Sequence, residues 1–161
     1  MDFIWSPWRY DYLASAGKKS PSCVFCVEEN RSHDAERLIV FRGSHNFIIL
    51  NLFPYTSGHL MIVPYRHEAS LASLDTATTI EMIELAKRAQ TALETEYHPD
   101  GFNIGMNLGR SAGAGVADHL HLHVVPRWSG DANFVSIVGE TRVLPEDLTA
   151  TYLKLKAHFR E

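Results

Sequence analysis

The chain has 161 residues, of which 45% are hydrophobic and 21% are charged, as is typical of a single soluble globular domain. Its net charge of −4 argues against a broad surface for nucleic acid or another large polyanion. The first residues lack a signal-peptide pattern, and no apolar stretch reaches the roughly 18 residues of a membrane span. We therefore expect a cytoplasmic protein without nucleic-acid or membrane partners.

The predicted elements follow a strand–strand–strand–helix–strand–strand order. Before them, Ser6, Pro7 and Gly17 are typical of the start and end of a short helix. Strands are predicted over 38–41, 46–50, 59–63, 102–108 and 119–125, a long helix from Asp75 to about Tyr97, and a short helix after Pro145. This order predicts an α+β domain with a largely antiparallel sheet. Its core spans 38–128, between an N-terminal extension (1–37) and a C-terminal tail (129–161).

Three of the nine histidines alternate along the last predicted strand: His119, His121 and His123. Side chains alternate between the faces of a strand, so these three share one face about 6.6 Å apart, and the apolar residues between them face the core. Such a row can bind one extended anion, or divide between a ligand and a metal ion. A merely solvated face would more naturally carry Thr, Lys or Glu.

A glycine-rich segment leads into the histidine strand. Gly109, Gly113 and Gly115 fall within seven residues, and glycine allows backbone N–H groups to approach phosphate oxygens closely. Glycine-rich loops are most often simple turns, so this segment alone is a weak signal. Its position before the histidine row makes it a candidate phosphate cradle.

The only two cysteines, Cys23 and Cys26, have the spacing of half a zinc site. Any further ligands would then be histidine or carboxylate groups. Two other interpretations remain open. One is a redox dithiol, although no strand leads into Cys23 as in thioredoxin-like motifs. The other is a pair of inert thiols in the core.

The His-x-His-x-His pattern, together with the Gly58–Pro64 and Asn103–Asn107 segments, resembles the signature of the histidine triad (HIT) superfamily of nucleotide hydrolases and transferases. The resemblance extends from about Leu38 to Trp128. It is closest to the fragile-histidine-triad branch, with its diadenosine tetraphosphate phosphorylases and hydrolases. It implies a HIT-like fold, in which a five-stranded antiparallel sheet packs with one long helix and short flanking helices. It also implies a homodimer formed by the long helix and an edge strand.

The resemblance implies a role for each matching residue. His121 is the implied nucleophile, forming a nucleotidyl-histidine that water or phosphate then resolves, and His123 would hold phosphate oxygens. The implied nucleotide-binding residues are Asn107, Gly113 and Gly115 at the phosphates, Asn51 at the ribose, His59 at the nucleoside end and Ile49 at the base. Many relatives have Gly-Gln in the glycine loop, whereas this chain has Gly113-Ala114-Gly115.

The resemblance also implies the two ligands that a zinc site at Cys23 and Cys26 would still need. Some triad proteins carry a Cys-x-x-Cys before their first strands, and their other two ligands correspond to His67 and His119. A Cys2His2 site with four protein ligands is closed and structural. It would fix the histidine strand without contacting substrate.

The leading prediction is a nucleotidyl hydrolase or transferase that cleaves dinucleoside polyphosphates such as diadenosine tetraphosphate. A nucleoside phosphoramidate hydrolase would use the same nucleophile with a different leaving group. A nucleotide-binding signalling module with incidental turnover is the alternative outside enzymes. The intact pair His121 and His123 favours catalysis, but the residues do not decide between water and phosphate as acceptor.

Overall fold

The computed structural model describes residues 23–27, 31–131 and 146–159. Five strands form one antiparallel sheet in the order β1-β2-β3-β5-β4. They are β1 (Ile39–Arg42), β2 (Asn46–Leu50), β3 (Leu60–Pro64), β4 (Gly101–Met106) and β5 (Leu122–Arg127). Helix α1 (Thr76–Tyr97) connects β3 to β4, and α2 (Leu148–Ala157) follows β5. Single 3-10 turns occur at Arg31–His33, Leu71–Ser73 and Arg110–Ala112.

The predicted α+β fold is confirmed, and so is the long helix. The side chain of Asp75 caps α1 by accepting a hydrogen bond from the Thr78 amide at 2.8 Å. Met82, Ala86, Ala89 and Leu93 form the buried stripe that their spacing predicted. None of the helices in the described ranges is long and apolar enough to cross a membrane. The helix predicted around Ser6 lies outside those ranges.

Different parts of the chain pack on the two faces of the sheet. Helices α1 and α2 pack on one face, whose core includes Val40, Ile48, Leu50, Leu60, Ile62, Leu122 and Val124. The opposite face carries a second cluster, formed by Phe25, Ile39, Phe47, Ile49, Met61 and Val63. His123 pairs with Met61 across β3 and β5. Because paired residues share a face, the histidine row lies on this second face.

Strand β5 begins later than the sequence predicted. Ladder pairing starts at Leu122, which is paired with Ile62 on one side and Met106 on the other. His119 and His121 precede the ladder, and the Leu120 amide donates instead to the carbonyl of Glu68 at 2.7 Å. Strand β4 ends at Met106, two residues before its predicted end, because the chain turns away at Gly109 with a φ of 81°.

Candidate active site and metal site

The structure brings four histidines together on the second face of the sheet. The rings of His121 and His123 lie 4.8 Å apart between centroids, and those of His59 and His123 lie 5.1 Å apart. His119 follows at the other end of the row. All four are buried, with exposed fractions between 0% and 9%. The neighbourhood is therefore largely shielded from bulk water.

The proton on His121 is located by its hydrogen bond. Nδ1 lies 2.9 Å from the carbonyl oxygen of His119. A carbonyl only accepts, so Nδ1 carries the proton and Nε2 of the neutral ring keeps its lone pair. Burial lowers the pKa of His121, while the hydrogen bond to His119 opposes that shift. A neutral imidazole with a free nitrogen lone pair is a competent nucleophile.

The proton on His123 is located through His59. The Tyr55 amide donates to His59 Nδ1 at 3.1 Å, so His59 carries its proton on Nε2. That Nε2 lies 2.9 Å from His123 Nδ1, which must accept. His123 is therefore protonated on Nε2, a donor suited to a phosphate oxygen. Burial, and then the proximity of His121, lower the pKa of His123 to about 4.

His59 lies behind His123 and has no exposed surface. The resemblance implied a position lining the nucleoside end of the site, which a completely buried side chain does not have. His59 can influence a bound nucleotide only indirectly, for example through its hydrogen bond to His123. Asn51 is half-buried and donates from Nδ2 to His59 Nδ1 at 3.3 Å, while its Oδ1 accepts from the Phe53 amide at 3.0 Å. Asn51 thus connects the surface of the site to the buried His59.

The glycine-rich loop borders the histidine row on the β4 side. Met106 pairs with Leu122, so the antiparallel register brings the next residue, Asn107, towards His121. Gly109 and Gly113 have positive φ angles of 81° and 87° and enclose the 3-10 turn at Arg110–Ala112. Val116 then packs against the cluster on the histidine face. Ile49, Gly113 and Gly115 also lie on this side of the sheet or in this loop, and their contacts with a nucleotide stay predictions.

The two cysteines and two histidines of the predicted metal site converge. Cys23, Cys26, His67 and His119 each offer one ligand atom, and these four atoms lie within 4.8 Å of one another. Cys23 Sγ lies 3.4 Å from His119 Nδ1, and Cys26 Sγ lies 3.3 Å from His67 Nδ1. Tetrahedral zinc with ordinary bond lengths separates sulfur and nitrogen ligands by about 3.5 Å. The four residues therefore fit a zinc ion.

His119 has the tautomer that zinc requires. Its Nε2 donates to the carbonyl of Pro64 at 2.9 Å, which leaves the Nδ1 lone pair facing the cysteines. Burial also lowers the pKa of His119 and so favours the neutral form that binds metal. His119 thus faces the two cysteines through its ring and accepts a hydrogen bond from His121 through its carbonyl.

Comparison with known proteins identifies the family. The sequence profile of the HIT domain matches residues 32–130. The chain belongs to the HIT family. It is 43% identical over 155 residues to the AP-4-A phosphorylase of Mycobacterium tuberculosis, an alignment covering 92% of this chain and 79% of that protein. An uncharacterized HIT-like protein of Saccharolobus solfataricus is 31% identical over 114 residues, covering 70% of this chain and 79% of the relative.

Solved HIT structures share the fold. A zinc-bound histidine triad family protein from Mycobacterium smegmatis superimposes with a TM-score of 0.67 and 31% identity, over 85% of this chain and 92% of that one. A histidine triad nucleotide-binding protein from Sulfolobus tokodaii gives a TM-score of 0.65 at 25% identity, covering 84% and 91%. The resemblance seen in the sequence is therefore confirmed for both family and fold.

The HIT site contains groups that sequence reasoning missed. The Tyr55 amide and the Pro64 carbonyl set the tautomers of His59 and His119, and backbone groups leave no trace in a sequence pattern. Phe25 contacts the rings of His119 and His121. Its position between the two cysteines was the available signal, because a segment held at a metal site also places the side chains that it carries.

Proposed function

We propose that this HIT protein is a nucleotidyl hydrolase or transferase that cleaves dinucleoside polyphosphates. The hydrogen bond from His121 Nδ1 to the His119 carbonyl carries this proposal, because it leaves Nε2 free to attack phosphorus. The similarity to a protein named AP-4-A phosphorylase supports the substrate class. The buried, neutral histidine pair supports an enzyme over a simple nucleotide-binding module.

The reaction proceeds in two displacements. His121 Nε2 forms a bond to the α-phosphorus, and the bond from that phosphorus to the bridging oxygen breaks, so the leaving polyphosphate takes the electron pair. His123 donates from Nε2 to a non-bridging oxygen and stabilises the charge that develops there. Water or inorganic phosphate then attacks the nucleotidyl-histidine, and the electrons of the N–P bond return to His121.

The sheet register supports an orientation for the nucleotide. Ile49 pairs with Met61, Met61 with His123, and His123 with Gly105, in a row that runs from β2 to β4. We place the nucleoside on the β2 side, with its base near Ile49 and its ribose near Asn51. The leaving phosphates then point to the β4 side, towards Asn107, Gly113 and Gly115.

We further propose that Cys23, Cys26, His67 and His119 hold one structural zinc ion. A zinc ion there would cross-link the N-terminal segment to His119, with no open coordination position for substrate. The support is the convergence of four ligand atoms and the tautomer of His119.

We also propose that the protein is a homodimer and that the whole chain forms one domain. Strand β4 is an edge of the sheet, and its Ile104 is 48% exposed. Helix α1 exposes Ile80 and Ile83. Exposed isoleucines on an edge strand and on a helix support a two-fold interface that would cover them. A cytoplasmic location and the lack of nucleic-acid and membrane partners stay predictions of the sequence.

Product analysis tests the proposed function. The protein is incubated with diadenosine tetraphosphate, with and without inorganic phosphate. In a separate reaction it is incubated with adenosine 5′-phosphoramidate, the substrate of the alternative function. ADP and ATP formed only with phosphate identify a phosphorylase, whereas AMP and ATP formed without it identify a hydrolase. His121→Ala is expected to abolish either reaction. A much faster cleavage of the phosphoramidate, or no cleavage and no nucleotidyl-enzyme from either compound, would contradict the proposal.

A further inference from the structure

We propose that the ring of Phe25, in the segment between Cys23 and Cys26, stabilises the positive charge that His121 acquires when it bonds to phosphorus. This role rests on the nucleotidyl-histidine chemistry proposed above. In this role Phe25 acts through the ring of His121 and makes no direct contact with the phosphate groups.

The positive charge follows from the position of the proton on His121. Nδ1 keeps its proton in the bond to the His119 carbonyl. When Nε2 shares its lone pair with phosphorus and the leaving polyphosphate departs, the ring becomes a phosphoryl-imidazolium cation. When water or phosphate displaces it, the N–P electrons return and the ring is neutral again. A group that favours this cation therefore acts on the transition states more than on the free enzyme.

The charge forms in a buried place. His121 is only 6% exposed, and burial makes a cation costly unless other groups compensate for its lost hydration. Within the described ranges, the hydrogen-bond and ring contacts of His121 come from the His119 carbonyl, the His123 ring and the Phe25 ring. No carboxylate of those ranges hydrogen-bonds to His121, unlike the histidine of a Ser-His-Asp triad.

The Phe25 ring has a geometry suited to this role. Its centroid lies 4.9 Å from that of His121 with an interplanar angle of 49°. A cation over the face of an aromatic ring and within about 6 Å of its centroid is attracted by the ring quadrupole, most strongly where water is absent. Phe25 is itself buried, so solvent does not screen the contact. The expected contribution is about a five- to thirtyfold increase in the rate of nucleotidyl transfer.

The surroundings hold the Phe25 ring in place. It contacts His119 edge-on at 5.7 Å and packs in the cluster that contains Ile49 and Met61. Cys23 and Cys26 flank it in sequence and face His119 and His67. The segment that carries two of the four residues that fit zinc therefore also places this ring beside His121.

Fluorinated phenylalanines at position 25 test the electrostatic role. One, two or three ring fluorines weaken the negative potential of the ring face with little change in shape. The measured quantity is the first-order rate of nucleotidyl-enzyme formation from diadenosine tetraphosphate in rapid-quench experiments. We expect the logarithm of this rate to fall stepwise with each fluorine. Phe25→Leu should lower the rate of nucleotidyl-enzyme formation about five- to thirtyfold. Phe25→Tyr should keep most of the wild-type rate.

Phe47 is the matched control. It is fully buried in the same cluster but stacks on Tyr65, with centroids 5.4 Å apart. The same fluorinated residues at position 47 are expected to leave the rate unchanged. Zinc content by elemental analysis and the Tm are measured for every variant. Both are expected to match wild type in the fluorinated series, because packing and metal ligands are retained.

Two different failures are distinguishable. A rate that does not respond to fluorination of Phe25, or responds equally at Phe47, overturns the role of Phe25 and leaves the nucleotidyl-histidine proposal intact. A wild-type protein that forms no nucleotidyl-enzyme overturns the proposed function itself.

Discussion

At the residue scale, the chemistry of this site depends on which nitrogen of each histidine carries the proton. Carbonyl groups hold the protons of His119 and His121, and a backbone amide directs the proton of His59 towards His123. Backbone groups have a fixed donor or acceptor character. The fold therefore leaves Nε2 of His121 with a free lone pair and Nε2 of His123 with a proton, as the proposed mechanism requires.

His59 should act on catalysis without contacting substrate. His59→Leu removes the donor to His123 Nδ1 and lets His123 adopt the other tautomer. We expect kcat to fall about tenfold or more, with KM close to wild type because His59 is completely buried. His59→Gln retains an amide donor and should recover part of kcat. Steady-state kinetics with diadenosine tetraphosphate compares the three proteins, and equal kcat values for all three would contradict this role.

The buried, neutral state of His123 should make stability depend on pH. Its pKa is about 4 in the folded protein, against about 6.5 in an unfolded chain. Between these values the unfolded state binds a proton that the folded state does not bind. The free energy of unfolding therefore falls as the pH falls through this interval. From pH 7 to pH 5, His123 should account for a loss of about 2 kcal/mol.

Urea denaturation of wild type and His123→Asn measures this contribution. Both proteins are unfolded at the two pH values with excess zinc present, so that metal loss affects them alike. The loss of stability in acid should be about 2 kcal/mol smaller in the variant. The same loss in both proteins would show that His123 does not titrate as a buried group.

At the element scale, the turns between strands place the site residues. The turn before β3 ends at Gly58 with a φ of 77°, and His59 follows directly. Helix α1 packs closely against this turn, since a Cβ at position 58 would lie 2.7 Å from Leu93 Cδ2. Both the backbone angle and the space therefore require glycine here.

Gly58→Ala should destabilise the protein by about 1–3 kcal/mol, because it combines a strained φ with overpacking against Leu93. Activity should fall as well, because the change displaces His59 from His123. Gly101→Ala is the control, since a Cβ at that position meets nothing within 4 Å. Urea denaturation and turnover are measured on both variants. Equal stability of the two would refute the requirement at position 58.

At the scale of the whole molecule, the proposed zinc site joins distant parts of the chain. Cys23 and His119 are 96 residues apart in sequence, and Cys26 and His67 are 41 residues apart. Such a cross-link stabilises the folded state in proportion to the metal's binding energy. Protons compete with zinc for the thiolates and imidazoles, so this stabilisation is present at neutral pH and is lost as the pH falls.

Zinc removal should lower the Tm and loosen the active site together. We expect about one zinc per chain by elemental analysis, and a Tm lower by at least about 5 °C after chelation. His67→Ala should have a similarly low Tm that chelation does not lower further. A wild-type Tm that is insensitive to chelation would remove zinc from the proposal and leave the chemistry of His121 unaffected.

The proposed dimer is tested by a charge on the edge strand. Ile104→Lys places an ammonium group on β4 and should shift the protein from dimer to monomer in sedimentation at micromolar concentration. Leu153→Lys is the matched control, because Leu153 is also highly exposed but lies on α2. A wild-type protein that sediments as a monomer at this concentration would exclude the dimer.

The sequence alone predicted most of the elements, the shared face of the histidines and the two cysteines of the candidate metal site, whereas His67 and His119 were added to that site by the HIT resemblance. These features are local, because side-chain direction follows from the period of a strand or helix. The spacing of His119, His121 and His123 was sufficient to predict a row, and the long helix was predicted to within one residue at its start. The HIT resemblance then predicted the fold, which the structure confirms.

Only the tertiary structure decided the strand order, the start of β5 and the place of His59 behind His123. It also decided every tautomer in the row and the contact of Phe25 with His121. These features join segments up to 96 residues apart. Side-chain periodicity records which face a residue occupies, but a hydrogen-bond partner depends on which distant backbone group the folded chain brings within about 3 Å.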